Sequence, residues 1–370
     1  MLRIADFQPD WVSAPHETIK ALLAKRGMST QRFLDLSGCD ADEFDALMRA
    51  EISIDEAWSE ILQKVLGVRS GFWIRLQQQF ETERSALMSE NLPQTEKDFV
   101  SSLPLTSMKK FGWIDFGNNF ESKLMAALAF FGVESVGQYN QLFGTTLSAV
   151  AFREASTHRS KPAAIVAWLK RAEADGLGSV CDPWNKGGFE NSLSEIRALT
   201  RIKDPKTFVP RLKAICARSG VAFSLVPPPD GCRASGATKF IPGEKALIVM
   251  SLRYKSDDQF WFTFFHEAAH LLLHSENALF LEDGSEVTAE EEDQANEFAG
   301  SFLVPKAFWG EIQNKRLSYK TVIAKAQKLG VSAGVLVGQL QHVGILSHDK
   351  MNFLKRRYKW TADGEAELIP

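Results

Sequence analysis

The sequence predicts an α+β chain that is mostly helical and built in three parts. An all-α domain occupies residues 1–80, a helical spacer 81–200, and a domain with a small β-sheet and a helical C-terminal tail 201–370. Three observations predict this. Apolar residues recur at helical spacing between glycines over residues 16–80. The runs VAFSLVPPPDG and KALIVMSL are short, β-branched and bounded by Pro and Gly. The stretch FWFTFFHEAAHLLLH, residues 260–274, is apolar on nearly every face, as a helix sunk in a core must be.

Taken in order, ETIKALLAKRG ends at Gly27, and Ser29 caps TQRFLDLSG, which ends at Gly38. Asp40 caps DADEFDALMRA, SIDEAWSEILQKVLG starts from Ser53, and SGFWIRLQQQFE starts from Ser70. Two short helices joined by a tight Gly-containing turn, within a compact helical set, are what a helix-turn-helix needs. NLPQTEKDFVSSLPLTS reads as a polar, Pro-punctuated link, and ESKLMAALAFFG and PAAIVAWLKRAEADG as further helices. After the two strands and the apolar helix comes an acidic loop. TAEEEDQANEFAGSFLVP is then a helix halted near Pro305, and SYKTVIAKAQKLGVSAGVLVGQLQHVG closes the chain helically. No internal repeat or low-complexity tract interrupts this order.

With 370 residues, 45% of them hydrophobic, the chain can bury at least one full core. A formal charge of -3 gives no global attraction to nucleic acid or anionic membrane, so any such binding is local. Cys39, Cys181, Cys216 and Cys232 show no C-x-x-C spacing and read as free thiols rather than disulfides or zinc ligands. The N-terminus lacks a signal-peptide pattern, and no apolar run approaches the roughly 20 residues that span a bilayer. These features predict a soluble cytoplasmic protein.

His266 and His270 stand one helical turn apart, so both imidazoles leave the same face towards one point, with Glu267 between them. In this H-E-x-x-H pattern the histidines bind zinc and the glutamate serves as general base. Hydrogen bonds alone would have to satisfy three histidines and a carboxylate in a greasy helix, whereas a metal does so directly. A catalytic zinc takes three protein ligands and keeps one position open. His274 lies about 12 Å along the axis from His266, too far to share one ion, which leaves it supporting a ligand or satisfied in the core. On the downstream helix, Ala295, Ala299, Phe302 and Leu303 form an inward stripe. Glu292 falls on that stripe, while Asp293 and Glu297 point away. Glu292 is therefore the expected third ligand and Glu291, at the margin, the alternative. Asn296 sits where it could accept an imidazole N–H, although spacing equally allows a surface amide.

HEAAHLLLH followed by EEDQANEFAGSFLVP, and preceded by SGATKFIPGEKALIVMSLRYKSDDQFWFTFF, closely resembles the ImmA/IrrE family of metallo-endopeptidases. That family's second motif runs approximately E-x-x-A-N-x-F-A-x-x-L-L-x-P. Its E-x-x-x-N register falls on Glu292 and Asn296, and the resemblance covers about residues 205 to 345. The N-terminal segment resembles the Xre-type helix-turn-helix of HigA-like antitoxins, down to SGFWIRLQQQFE. Fusions of the two modules occur among bacterial and phage-borne regulators.

The resemblance implies a zincin-like domain with zinc as cofactor. It implies peptide hydrolysis, often of a DNA-binding repressor or antitoxin-like regulator, and a helix-turn-helix that binds DNA and dimerises. On this expectation His266, His270 and Glu292 hold zinc, and Glu267 is the base. A substrate strand adds to an edge such as KALIVMSL, and Arg253, Tyr254 and His274 are candidates to meet the oxyanion. The alternative is a transcriptional regulator or antitoxin whose zinc domain is sensory or structural.

One departure bears on DNA. Asp40, Asp42, Glu43 and Asp45 crowd the expected recognition helix, and Arg49 is its only basic residue, with Arg32 the candidate contact on the preceding helix. Over residues 1–80, nine Lys or Arg face twelve Asp or Glu, a net of −3. Phosphate recognition needs the opposite balance. The helical scaffold is thus expected to persist, with DNA binding weak or replaced by protein recognition.

Overall fold

The computed structural model describes residues 14–91, 93–153, 161–274, 280–281, 288–310, 312, 317–361 and 364–369. The acidic loop expected before the downstream helix lies outside these residues, except for 280–281. The chain divides into two compact units, Met1–Lys97 with Phe116–Met125, and Asp98–Asp115 with Ala126–Pro370.

Five helices lead the first unit: α1 (Pro15–Lys25), α2 (Thr30–Ser37), α3 (Ala41–Met48), α4 (Glu56–Leu66) and α5 (Ser70–Asn91). Ser29 Oγ accepts the Arg32 amide at 3.2 Å, and Asp40 accepts those of Asp42 and Glu43. Gly38 closes α2 at φ 71°, a conformation that costs other residues a steric clash. Phe33, Phe44, Trp58, Leu62 and Trp73 form the core. Two expectations are corrected. α4 begins at Glu56, because the Asp55 carboxylate accepts the Trp58 amide at 2.8 Å and caps the helix two residues after Ser53. α5 runs past residue 81 to Asn91.

The expected Pro-punctuated link instead contains α6 (Gln94–Ser102) and α7 (Leu105–Lys110). Pro93 and Pro104 each stand just ahead of a helix, where a missing N–H costs nothing. There follow α8 (Phe120–Phe131), α9 (Val136–Arg153), α10 (Pro162–Gly178), α11 (Lys186–Leu199) and α12 (Pro205–Ala217).

The sheet consists of β1 (Val221–Leu225), β2 (Gly236–Ile241), β3 (Lys245–Met250) and β4 (Phe280–Leu281), in the order β1-β3-β2-β4. β3 pairs parallel with β1, Val221 opposite Ala246, and antiparallel with β2, Gly236 opposite Met250. KALIVMSL is therefore an interior strand, and the expectation that it offers an edge to substrate is overturned. Its unbroken apolar run records burial on both faces. Ala246, Ile248 and Met250 join the core on one side, and Leu247 and Val249 meet α10 residues such as Trp168 on the other.

The remaining elements are α13 (Asp257–Leu273), α14 (Ala289–Leu303), α15 (Lys306–Gly310), α16 (Tyr319–Leu329), α17 (Ala333–His342), a 3₁₀ turn (Asn352–Leu354), β5 (Arg357–Trp360) and β6 (Ala366–Ile369). The tail is thus not wholly helical: it ends in an antiparallel hairpin, Arg357 opposite Ile369. The alternation in RYKW and the Asp-Gly pair after it carried that signal. Among the described residues, no helix is long and apolar enough to cross a membrane.

α13 is buried along almost its whole length, with Trp261, Phe264, Phe265 and Leu271 in the core. Each such side chain contributes roughly 1.5–3 kcal/mol by leaving water. Its first turn buries two carboxylates. Asp257 accepts Ser332 Oγ at 2.8 Å and the Arg356 amide at 3.0 Å, and Asp258 pairs with Lys355 Nζ at 2.7 Å. Room for them comes from α17, where Gly334 and Gly338 face the two carboxylates and any Cβ would collide with them.

Burial raises the Asp257 pKa to about 6, opposed by the Ser332 bond and reinforced by Asp258. The folded state thus holds this proton more tightly than the unfolded chain does. Asp257 therefore lowers stability as pH rises from about 4 to 6, by a few kcal/mol in all. Asp257→Asn keeps the acceptor oxygen and is expected to flatten the chemical-denaturation midpoint across that window. An unchanged pH dependence would contradict the assignment.

Candidate metal centre

α13 presents His266, Glu267 and His270, and α14 packed beside it presents Glu292 and Asn296. Thr288 and Glu291 form a reciprocal capping box that starts α14, with the Glu291 carboxylate accepting the Thr288 amide at 2.8 Å. That bond holds Glu291 below the usual carboxylate pKa range. Glu291, the alternative third ligand, is thereby used as a cap, and the next residue is turned towards the imidazoles.

One set of tautomers satisfies the hydrogen bonds around these rings and leaves two ligand atoms bare for a metal. Asn296 Oδ1 lies 3.1 Å from His266 Nδ1, and an amide oxygen only accepts, so His266 carries its proton on Nδ1 and leaves Nε2 bare. His274 gives its Nε2 proton to Gln294 Oε1 at 3.2 Å. Its Nδ1 therefore accepts from His270 Nδ1 at 2.9 Å. Burial, with the neighbouring His266 and His274, draws the His270 pKa down to about 3, so this ring is neutral and its Nε2 is bare as well. In that set two imidazole lone pairs face each other at 3.0 Å, the arrangement a shared cation resolves.

Lone pairs so placed repel unless an electrophile lies between them. Glu292 completes the arrangement, with Oε2 at 3.3 Å from His266 Nε2 and Oε1 at 3.8 Å from His270 Nε2. Oε1 is buried and has no hydrogen-bond partner among the described residues. The ligand atoms of His266, His270 and Glu292 all lie within 4.8 Å of one another. A tetrahedral ion with bonds of about 2.0–2.2 Å sets its ligands roughly 3.3 Å apart, so the donor set fits a zinc-sized cation.

Glu267, next to His266 on the same helix, is fully buried. Thr238 Oγ1 on β2 donates to its Oε2 at 2.6 Å. Gly236, one β-repeat earlier on the same face, leaves the space its carboxylate fills, and a Cβ there would meet Oε1. Sequence reasoning missed Gly236, Thr238 and Gln294. A Gly and a Thr two apart at the start of a strand were the only local trace. Thr238→Val strips Glu267 of this donor and is expected to cost about 1–3 kcal/mol in unfolding free energy, read from denaturant melts. A loss below about 0.5 kcal/mol would show that the bond does not hold Glu267.

Arg253 and Tyr254 lie in the loop between β3 and α13, the guanidinium 5.2 Å from the Tyr254 ring centre. With Ser235, Gln259 and Thr263 they line a small cleft along α13. Thr263 precedes Glu267 by one turn, and neither Glu267 nor the imidazoles line the cleft. In the N-terminal unit, Arg49 pairs with Glu51 at 2.9 Å, Arg32 is exposed, and Asp42, Glu43 and Asp45 are all exposed on α3.

Residues 236–341 match the model of the peptidase M78 family, described as the IrrE N-terminal-like domain. The matched segment, less than a third of the chain, runs from Gly236 to Gln341 and so contains both histidine-bearing and glutamate-bearing helices. It supports a metallopeptidase, a family that implies a metal and a protein substrate. No curated protein matches the chain.

Proposed function

We propose that the protein is a zinc-dependent endopeptidase of the H-E-x-x-H type that cleaves a regulatory protein, a repressor or antitoxin-like regulator. The observation that carries this reading is the convergence of two imidazole Nε2 atoms 3.0 Å apart with the Glu292 carboxylate beside them. His266, His270 and Glu292 would hold the ion; Asn296 and His274 fix the rings that bear the ligand atoms. Zinc bound there supplies Lewis-acid polarisation of a carbonyl and eases the ionisation of water.

Glu267 takes a proton from the attacking water at its carboxylate and returns it to the leaving amine, as the carbon–oxygen bond forms and the carbon–nitrogen bond breaks. The Thr238 donor orients that carboxylate, and the space at Gly236 admits it. Arg253 and Tyr254, on the loop that leads into α13, are the side chains proposed to meet the substrate.

The N-terminal unit acts as a helix-turn-helix-like targeting module. Its exposed acids on α3 favour a protein partner over phosphates.

The test joins metal analysis to cleavage of a repressor encoded beside this gene. Wild type is expected to hold about one zinc per chain and to cleave. Glu267→Gln is expected to keep the zinc and lose about 10²–10⁴-fold in rate. Retained cleavage in that variant would refute Glu267 as base, and wild-type protein free of metal would refute the zinc reading. A gel shift with the upstream DNA at low salt separates a DNA-binding regulator from the protein-targeted protease.

A further inference from the structure

The C-terminal unit carries a second concave surface, bounded by the loop after α11, the α16–α17 turn and the β5–β6 hairpin. The cleft holds about 750 Å³, within the usual span of ligand clefts. Its charge is one-sided: five Lys or Arg line it and no Asp or Glu does. Two of the five are committed elsewhere. Lys355 Nζ pairs with Asp258, and the Arg356 guanidinium donates to the carbonyls of Thr200, Arg201 and Ile202. Arg201, Lys203 and Arg357 are exposed, and their side chains form no ion pair among the described residues.

The floor between these cations is apolar. Phe353 is 73% exposed and Ile369 40% exposed, and both line the cleft. A protein whose net charge is −3 thus concentrates unpaired positive charge around an unfilled greasy floor, an arrangement that attracts an anion bearing aliphatic groups. Nucleic acid fits it poorly. Duplex recognition spreads over roughly 6–10 phosphate contacts, and single strands stack on successive aromatic rings. This cleft offers three uncommitted cations and a floor that is aliphatic apart from Phe353.

We infer that this cleft docks an acidic segment with interspersed aliphatic residues, at a site separate from the scissile bond. Calling that segment part of the substrate rests on the peptidase reading above. Acidic side chains meet Arg201, Lys203 and Arg357 at the rim, and aliphatic side chains cover Phe353 and Ile369.

The test uses the full chain carrying Glu267→Gln, so that binding is read without turnover. Fluorescence anisotropy would follow a labelled peptide of Glu and Leu, its Lys and Leu counterpart, and a labelled DNA duplex. The acidic peptide is expected to bind saturably and more weakly as salt rises. The combined Arg201→Gln, Lys203→Gln and Arg357→Gln variant should weaken it at least about tenfold, a change worth 1.4 kcal/mol. Phe353→Ser should weaken it several-fold without altering the salt dependence. An unaltered circular dichroism spectrum and melting midpoint would establish that each variant is folded.

Equal affinity in the triple variant overturns the inference. So does the duplex binding in place of the acidic peptide through the same three residues. Cleft-dependent binding in a protein that holds no metal would count against the peptidase reading alone. Cleavage of a substrate with no cleft-dependent binding would count against the docking site alone.

Discussion

His270→Ala is expected to deprive the protein of its metal: zinc per chain should fall from about one to below about one-tenth after dialysis, since one of only three protein ligands is gone. The stability readout is sharper. In the metal-free protein the substitution removes one of two lone pairs opposed at 3.0 Å, which offsets part of the cost of the cavity left in a site only 1% exposed. Metal-free stability should therefore fall, by the cost of that cavity less the relief. Added zinc at about one hundred times its dissociation constant stabilises the wild type by about 2.7 kcal/mol. The variant should gain almost none of that increment. An equal zinc-dependent shift of the melting midpoint in both proteins would mean that His270 is not a ligand.

Lys355→Met is expected to cost about 3–5 kcal/mol, the range seen when one partner of a buried ion pair is removed. Asp258 is 3% exposed on its side chain and Lys355 10% exposed, and their contact is 2.7 Å. Gly338 packs against the carboxylate closely enough that α17 admits no other group there. With the ammonium gone, the carboxylate must take up a proton or draw water into the α13–α17 contact. The second variant, Lys355→Met with Asp258→Leu, removes both charges and should recover much of the loss. Denaturant midpoints of the C-terminal unit measure both. A single-variant cost under about 1 kcal/mol would class the pair with weak surface contacts.

The candidate site was legible wherever its geometry is local to a helix. His266 and His270 converge because residues four apart share a face. The wheel that set Glu292 inward and Asp293 outward agrees with their burial, half-buried against exposed. Asn296 was undecided by spacing, and only the fold brings its oxygen to His266. Gly236 and Thr238 come from a strand some thirty residues before Glu267, so no periodicity within either segment links them. The same limit hid the position of KALIVMSL in the sheet. A continuous apolar run states that both faces are covered, but pairing with β1 and β2 is a matter of tertiary topology. α10 was legible as a helix and not as the layer that covers the far side of β3. The hairpin at 357–369 was different, because alternation and an Asp-Gly pair stood in the sequence and the helical pattern before them was carried on too far.

The paired imidazoles and the two deep carboxylates of Asp257 and Asp258 ride on one uninterrupted seventeen-residue rod. A rod of this kind does not stretch, and about 13 Å of it separates Asp257 from His266. The carboxylate end is clasped by the Arg356 amide and the Lys355 ammonium, just ahead of the closing hairpin. The segment that enters the hairpin is therefore anchored to the same helix that carries the imidazoles. Two strands some ninety residues later in the sequence are in this way tied to the rod that bears the candidate ligands.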